Sequence, residues 1–436
     1  MPLLRSGFLV FIAIAWLGIF NTKAQQADTL FLNRAEYREQ LQGFWLGTCI
    51  ANWTGLITEM DKIGNIGEIK TGDFYTLDDW GKPDQPSIWG EGLPSDLSPV
   101  IDFVFARPDS IWGADDDTDI EYIYHFLMKN SDSPFLSGEQ IRDGWLRHIR
   151  AEEENYLWVA NQAAFDAMNN GVVPPETGDS LINPQNDMID AQLTTELFGL
   201  MAPGRPDIAQ SLADIPVRSV SRGDAEYIAR FYITMFSLAP LYSDFGNIGS
   251  NLEKMAEEAS KILPPESYAA AMYDFVKRGY ENGVPWNVLR DEVYHRYQVE
   301  EKDGYNITSR NLYCNGCFAA GINFAASLIS LFYGEGDILE TIKLGTLMGW
   351  DSDNPTATWG GLLGFLYGKE GVEKAFNQSF SDRYYIHRTR QNFPGEGIDT
   401  FPNMAKDGAA IVNKVIRFIP GAAISEENDQ WIIPLR

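Results

Sequence analysis

The residues best placed to do chemistry are aspartates in two short runs. Gly113-Ala114-Asp115-Asp116-Asp117-Thr118-Asp119-Ile120 sets three consecutive carboxylates ahead of an apolar run (Ile120, Ile123, Phe126, Leu127) with helical spacing. Far downstream, Gly349-Trp350-Asp351-Ser352-Asp353-Asn354-Pro355-Thr356 alternates acids with small oxygen-bearing side chains, then continues in small and apolar residues to Gly364. Pro355 suits a first helical turn, where its missing N–H would have had no partner anyway. The helix dipole favours carboxylates there. Two such charges about 4 Å apart still repel by roughly 4 kcal/mol at an effective dielectric of 20. An unpaired buried charge is costly as well, and Lys343 is the one basic residue near the late run. A hard divalent cation with oxygen ligands meets that need. For either run alone a solvated acidic N-cap is the plainer reading; two runs, each opening an apolar helix, favour a metal site.

Other chemistries fit less well. Asp115-x-Asp117-x-Asp119 opens like a calcium loop, but Phe126 would fall at its closing position and no Gly follows Asp119. The histidines (His125, His148, His295, His387) are scattered without metalloprotease spacing, and neither a Gly-x-Ser-x-Gly nor a P-loop pattern occurs.

The elements that must position the two runs are helical. Apolar residues recur at helical spacing over 33–60, from 118 onward, and over 138–170, 188–201, 206–214, 222–242, 249–262, 266–281 and 285–297. The pattern resumes over 312–333, 337–348, 356–367 and 404–418, with Gly or Pro at the breaks. Trp431-Ile432-Ile433 is a short strand candidate. Residues 61–112 are rich in Gly and Pro, and a loop that long in a compact domain is usually functional; Trp80, Trp89 and Trp112 either wall a pocket or pin it. These patterns predict one all-α domain over 25–375 with an irregular insertion at 61–112 and a C-terminal extension, 376–436, packed on the same body.

Composition narrows the partners. With 34 Lys and Arg against 61 Asp and Glu, the net charge of −27 repels nucleic acid and anionic membranes. Residues 1–24 read as a cleavable secretory signal, with Arg5 before an apolar stretch from Phe8 to Phe20 and a small-residue end at Ala24. The expected product is periplasmic or secreted, monomeric and without stable membrane insertion. An oxidising compartment permits a Cys314–Cys317 pair, although small-residue packing around Gly316 to Gly321 is the favoured use of that stretch. Arg383, Arg388 and Arg390 form a basic, aromatic cluster that either meets an anionic sugar or is a solvated basic face pairing with the acidic body; the solvated face is favoured.

Three separated segments resemble the ADP-ribosylglycohydrolase family, which includes the dinitrogenase reductase activating glycohydrolases. They are Gly43-Phe44-Trp45-Leu46-Gly47 through Gly55 to Glu59, Asp115-Asp116-Asp117-Thr118, and Gly349 to Gly364. The stretch from Ile189 through Pro203-Gly204-Arg205-Pro206 to Ser221 resembles secreted, glycan-associated relatives. The resemblance implies an orthogonal multi-helix fold converging on two divalent cations, usually Mg²⁺. By motif match, Asp116, Asp117, Asp351 and Asp353 are ligands and Glu59 is the acidic residue near the scissile bond. Asp115 stands where the family has Thr or Ser, and Asn354 where it usually has Thr; both still offer oxygen, and the added charge leaves Mn²⁺ or Ca²⁺ conceivable. Asn52 replaces a common aspartate, and Arg222 sits near a position where relatives often carry His.

These readings converge on metal-assisted hydrolysis of an N- or O-glycosidic bond in a ribose-like or other vicinal-diol sugar of a small molecule or glycan. Glu59, Asp116 and Asp353 are the candidate catalytic residues. Asp115, Asp116, Asp117, Asp351, Asp353 and Asn354 are the candidate metal ligands, and Asp187, Asp190, Trp89 and Trp350 the candidate substrate contacts. ADP-ribosyl-protein hydrolysis and metal-dependent sugar binding without turnover are the alternatives.

Overall fold

A computed structural model describes residues 28–88, 97–151, 155–242, 245–310 and 312–435. The leader expected over 1–24, and Trp89, lie outside the described residues. Helix α1 (Arg34–Gly55) starts on Asn33, whose side chain accepts from the backbone N–H groups of Ala35 and Glu36 (2.9 and 3.0 Å). There follow α2 (Asp116–Asn130), α3 (Gly138–His148), α4 (Val159–Asn169), α5 (Asp190–Leu193), α6 (Leu197–Met201), α7 (Pro206–Arg218) and α8 (Asp224–Leu238). Next come α9 (Ile248–Ser260), α10 (Tyr268–Glu281), α11 (Trp286–Val293), α12 (Ala320–Gly334), α13 (Ile338–Thr346), α14 (Asp353–Ala375) and α15 (Phe401–Ile416). Among the described residues, no helix is long and apolar enough to cross a membrane.

The centre of the fold is the α1–α14 pair, packed along much of its length and buried on most sides. Glycines permit the contact. A Cβ on Gly43 would lie 2.1 Å from the Gly364 carbonyl oxygen, and one on Gly47 would lie 2.2 Å from that of Gly360. At the end of α1, a Cβ on Gly55 would meet Asp353 Cα at 2.4 Å. The same packing that forms the core therefore seats the end of α1 on the late acidic run.

Two small sheets close the chain on itself. Strands β1 (Thr29–Asn33), β5 (Ala423–Ser425) and β6 (Gln430–Pro434) form an antiparallel sheet in the order β1-β6-β5, with Thr29 opposite Pro434 and Asn33 opposite Gln430. In the other, β2 (Trp112–Gly113) pairs in parallel with β3 (Arg383–Tyr385), which pairs antiparallel with β4 (Ile398–Thr400). The Ala114 N–H also donates to the Tyr385 carbonyl (3.2 Å). This lays the segment after β3 across the N-terminus of α2.

Several local expectations change. The helix expected over 138–170 is two helices, the first ending at His148 and the second starting at Val159; just before the second, buried Arg390 donates to the carbonyls of Asn155 and Tyr156. Helix α14 begins at Asp353, earlier than Thr356, with Pro355 inside its first turn. Among its described residues, the 61–112 segment is irregular apart from a 3-10 turn, Leu77–Asp79, and Trp112, which begins β2. It is pinned by a small core of Ile57, Tyr75, Ile101 and Leu347, against which Trp80 packs. Trp112 is buried, its indole N–H donating to Ser381 O (2.8 Å). Cys314 and Cys317 form a disulfide, contrary to the expectation of packing alone.

Candidate metal centre and active-site cavity

The two acidic runs meet. Met60 N–H donates to the Trp350 carbonyl (2.9 Å) and Trp350 N–H to that of Lys62 (2.8 Å), so the turn after α1 runs beside residues 349–351. Thr58 and Ser352 share a hydroxyl hydrogen bond (3.0 Å), and Ser352 also reaches the Gly55 carbonyl (3.1 Å). Glu59 thereby faces Asp351 and Asp353. From the other side, the extended backbone of Asp115 starts α2 and aims Asp115, Asp116 and Asp117 at the same point. Carboxylate oxygens of Glu59, Asp351 and Asp353 lie within 4.8 Å of one another, as do those of Asp115, Asp117 and Asp353. Asp353 belongs to both sets.

All six carboxylates line a cavity of about 300 Å³, at the small end of ordinary ligand pockets. The rest of its wall is largely apolar and aromatic, including Leu56, Tyr156, Trp158, Leu193 and Phe318, with Asp190 and Arg388 as further charged groups. Trp158 is 53 % exposed at this wall, an unusual setting for so large a side chain. It lies between Tyr156 (φ +52°) and Val159 (φ +35°). Positive φ at a β-branched residue is a strained conformation.

Charge balance defines what the site can hold. Burial first, then the neighbouring carboxylates, raises the pKa of Glu59, Asp116, Asp117 and Asp351 well above the ordinary range. Burial pushes Asp353 up to about 6. Burial also raises Asp115, against the pull of Arg388. Asp353 is almost fully buried, and its Oδ1 has no hydrogen-bond partner. Overlapping oxygen-only sets, with a buried unsatisfied carboxylate oxygen at their junction, fit hard divalent cations.

The ADP-ribosylglycohydrolase family model matches residues 33–400. The chain belongs to the ADP-ribosylglycohydrolase family. A solved structure titled "ADP-ribosylglycohydrolase-related protein complex" is similar at 16 % identity and a TM-score of 0.46, covering 87 % of this chain and 99 % of that one. No curated protein matches. The family's hydrolases act on ADP-ribosyl linkages, and the family match takes in both acidic runs and the β3 segment.

Within this site several expected roles change. Asn354 holds Asp117 in place: its Nδ2 donates to Asp117 Oδ1 (2.8 Å), while its Oδ1 accepts from Gln192 (2.7 Å). Its amide thus orients a carboxylate of the cluster, and its oxygen, with two lone pairs, spends one of them on Gln192. Trp350 is fully buried behind the cluster, its indole N–H donating to Gln298 Oε1 (2.7 Å) and its ring 4.8 Å from that of Phe74. It is absent from the cavity wall, as is Asp187, which pairs with Arg310. Asp190 does line the cavity; its Oδ1 accepts from Asn161 N–H (2.6 Å), and burial pushes its pKa up to about 7. Arg222 is bound to the carbonyls of Pro175, Arg218 and Ser221 and is not part of the cavity wall.

Two further residues reach Asp115. Asn52 donates to Asp115 Oδ2 (3.0 Å). Arg388 donates to Asp115 Oδ1 (3.1 Å) and to the Ala114 carbonyl (2.7 Å), its guanidinium packed near the rings of Trp53 and Tyr156. Arg388 pairs with the acidic body as favoured for the basic cluster, whereas Arg390 does so not on a solvated face but in a wholly buried ion pair with Asp119 (2.8 Å). Tyr156 and Trp158 carried no signal of their own, because the helical pattern runs through them.

Proposed function

We propose that this protein is an exported, metal-dependent glycosyl hydrolase that cleaves an N- or O-glycosidic bond of a ribose-like or other vicinal-diol sugar. The observation that carries the reading is the pair of carboxylate sets sharing Asp353 in a ligand-sized cavity. Glu59, Asp351 and Asp353 would hold one divalent cation, and Asp115, Asp117 and Asp353 a second, with Asp116 beside them. Mg²⁺ is the expected ion, with Mn²⁺ or Ca²⁺ as alternatives. When bound, such cations supply Lewis acidity toward sugar hydroxyls and lower the pKa of a coordinated water.

The chain's own groups account for the rest. Glu59 is half-buried among like charges, which raise its affinity for a proton while no cation is present. With the cations bound it would be ionised, and an oxygen not engaged by an ion would be placed to take a proton from an attacking water. The anionic cluster favours positive charge at the anomeric carbon as the bond lengthens. Trp158, Tyr156 and Phe318 offer flat apolar surface to the group attached to the sugar, while Asp190 presents a carboxyl to its hydroxyls.

A second reading is hydrolysis of an ADP-ribosyl linkage, supported by the family match. Against it, the cavity is small for two nucleotide-linked sugars and the signal-like leader points outside the cell. Parallel assays decide between the two: ADP-ribosyl-arginine, ADP-ribosyl-serine, nucleosides and a glycoside panel, each with Mg²⁺ or EDTA. The proposal expects turnover of a nucleoside or glycoside that EDTA abolishes and that Asp353→Asn lowers by roughly a hundredfold or more. Turnover indifferent to EDTA, or confined to ADP-ribosyl substrates, refutes it.

A further inference from the structure

The two carboxylate sets are not equivalent, and the difference lies in what already occupies their oxygens. In the Glu59, Asp351 and Asp353 set, no Lys, Arg or amide side chain among the described residues donates to any carboxylate. In the other set, Asp115 has both oxygens engaged, Oδ1 by Arg388 and Oδ2 by Asn52, and Asp117 Oδ1 accepts from Asn354. One of those donors carries a full positive charge.

Arg388 is held in this position. Its guanidinium carbon is 4.9 Å from the centre of the Trp53 ring and 5.5 Å from that of Tyr156, and its Nη1 also donates to the Ala114 carbonyl at 2.7 Å. Upstream, β3 pairs with β2 directly before Ala114. Two residues downstream, Arg390 forms an ion pair with Asp119 in which both side chains are wholly buried. The backbone around Arg388 is thus tied to the start of α2 on both sides. Aromatic faces near a guanidinium add attraction beyond the ion pair.

Resting on the metal-dependent reading above, we infer that Arg388 is an internal counter-cation that makes the position at Asp115, Asp117 and Asp353 the weaker of two metal positions. A divalent ion entering there meets a fixed positive charge bonded to one of its ligands. It must share Asp115 with the guanidinium or displace it. Asp353 serves both sets, so the ion at Glu59, Asp351 and Asp353 has first claim on it and leaves the other position with Asp115 and Asp117. Both effects act in the same direction: the unobstructed position fills first, and the Arg388 position fills last and empties first. Arg388 is a positioning residue in this scheme, acting on the ion through Asp115.

The test is Mn²⁺ binding to the full mature chain stripped of metal, followed by calorimetry and by the electron paramagnetic resonance signal of free Mn²⁺. The expected wild-type result is one tight and one weaker class. Arg388→Gln tightens the weaker class by roughly tenfold or more and leaves the tight class unchanged, whereas Arg388→Lys, which keeps the charge, leaves the weaker class weak. Asp115→Asn deletes the weaker class alone, so the inference remains open to refutation even if Arg388→Gln does not fold. Equal wild-type classes, unchanged binding in Arg388→Gln, or loss of the weaker class in that variant overturns the inference and leaves the hydrolase proposal standing. No Mn²⁺ binding by the wild type overturns both.

Discussion

Replacing Arg390 with Met removes the cation from a wholly buried pair. Arg390 and Asp119 are each 0 % exposed and 2.8 Å apart. Arg390 also donates to the carbonyls of Asn155 and Tyr156 in the break between α3 and α4. Burial, with a smaller push from Asp115, holds Asp119 up at about 6 even with Arg390 and the Thr389 hydroxyl pulling it down, so loss of the arginine leaves this carboxylate without its buried cation. Leaving one partner of a buried pair costs about 3–5 kcal/mol. For a chain of 436 residues, an unfolding entropy of about 2.1 cal/mol/K per residue gives about 0.9 kcal/mol/K, hence a melting temperature lower by about 3–6 °C. The assay is calorimetry and denaturant unfolding in EDTA, which removes any contribution from bound metal. Because replacing both partners with apolar groups is often close to neutral, Asp119→Leu combined with Arg390→Met should recover most of the loss. A single-variant cost below about 1 kcal/mol, or a double variant less stable than the single, refutes the reasoning.

Two further outcomes follow from the core. Burial pushes Glu196, which accepts from Thr358 (2.7 Å), up to about 7 and raises its neighbour Glu121 as well. The folded state therefore holds protons that the unfolded chain releases. Stability should be highest below the unfolded value of 4.5 and decline as the pH rises through about 7. Glu196→Gln should flatten that decline in denaturant midpoints, and an identical slope in the variant would count against the assignment. Gly47→Ala places a methyl 2.2 Å from the Gly360 carbonyl oxygen; the helices must separate, with an expected loss of about 1–3 kcal/mol by thermal unfolding. An unchanged melting temperature would show that the α1–α14 contact is looser than described.

The helical class was legible because apolar residues at helical spacing persist through most of the chain, and burial of one face enforces that spacing. Ends were less legible. Local pattern carried the helix through 149–158, but the carbonyls of Asn155 and Tyr156 instead accept from an arginine some 235 residues away. The strand at Trp431 was read from its side chains, but not its partner β1, since pairing Thr29 with Pro434 depends on the whole intervening fold. Asn354 was read as a ligand because it stands in the late run where the family resemblance puts an oxygen donor. Only the tertiary structure shows that its amide also orients Asp117 and that its oxygen accepts from Gln192.

What the sequence determined by itself is local: two acidic runs, each feeding an apolar helix, and glycines spaced so that two helices can touch. Those features follow from side-chain charge, helix dipole and residue size over a few turns. The tertiary structure decided which charges face one another. Lys343, the nearest cation in sequence to the late run, pairs with Glu340, whereas Arg388 reaches Asp115 across 273 positions. Electrostatic energy depends on distance and burial, which sequence order does not encode; the countercharges of the acidic centre therefore came from the far end of the chain.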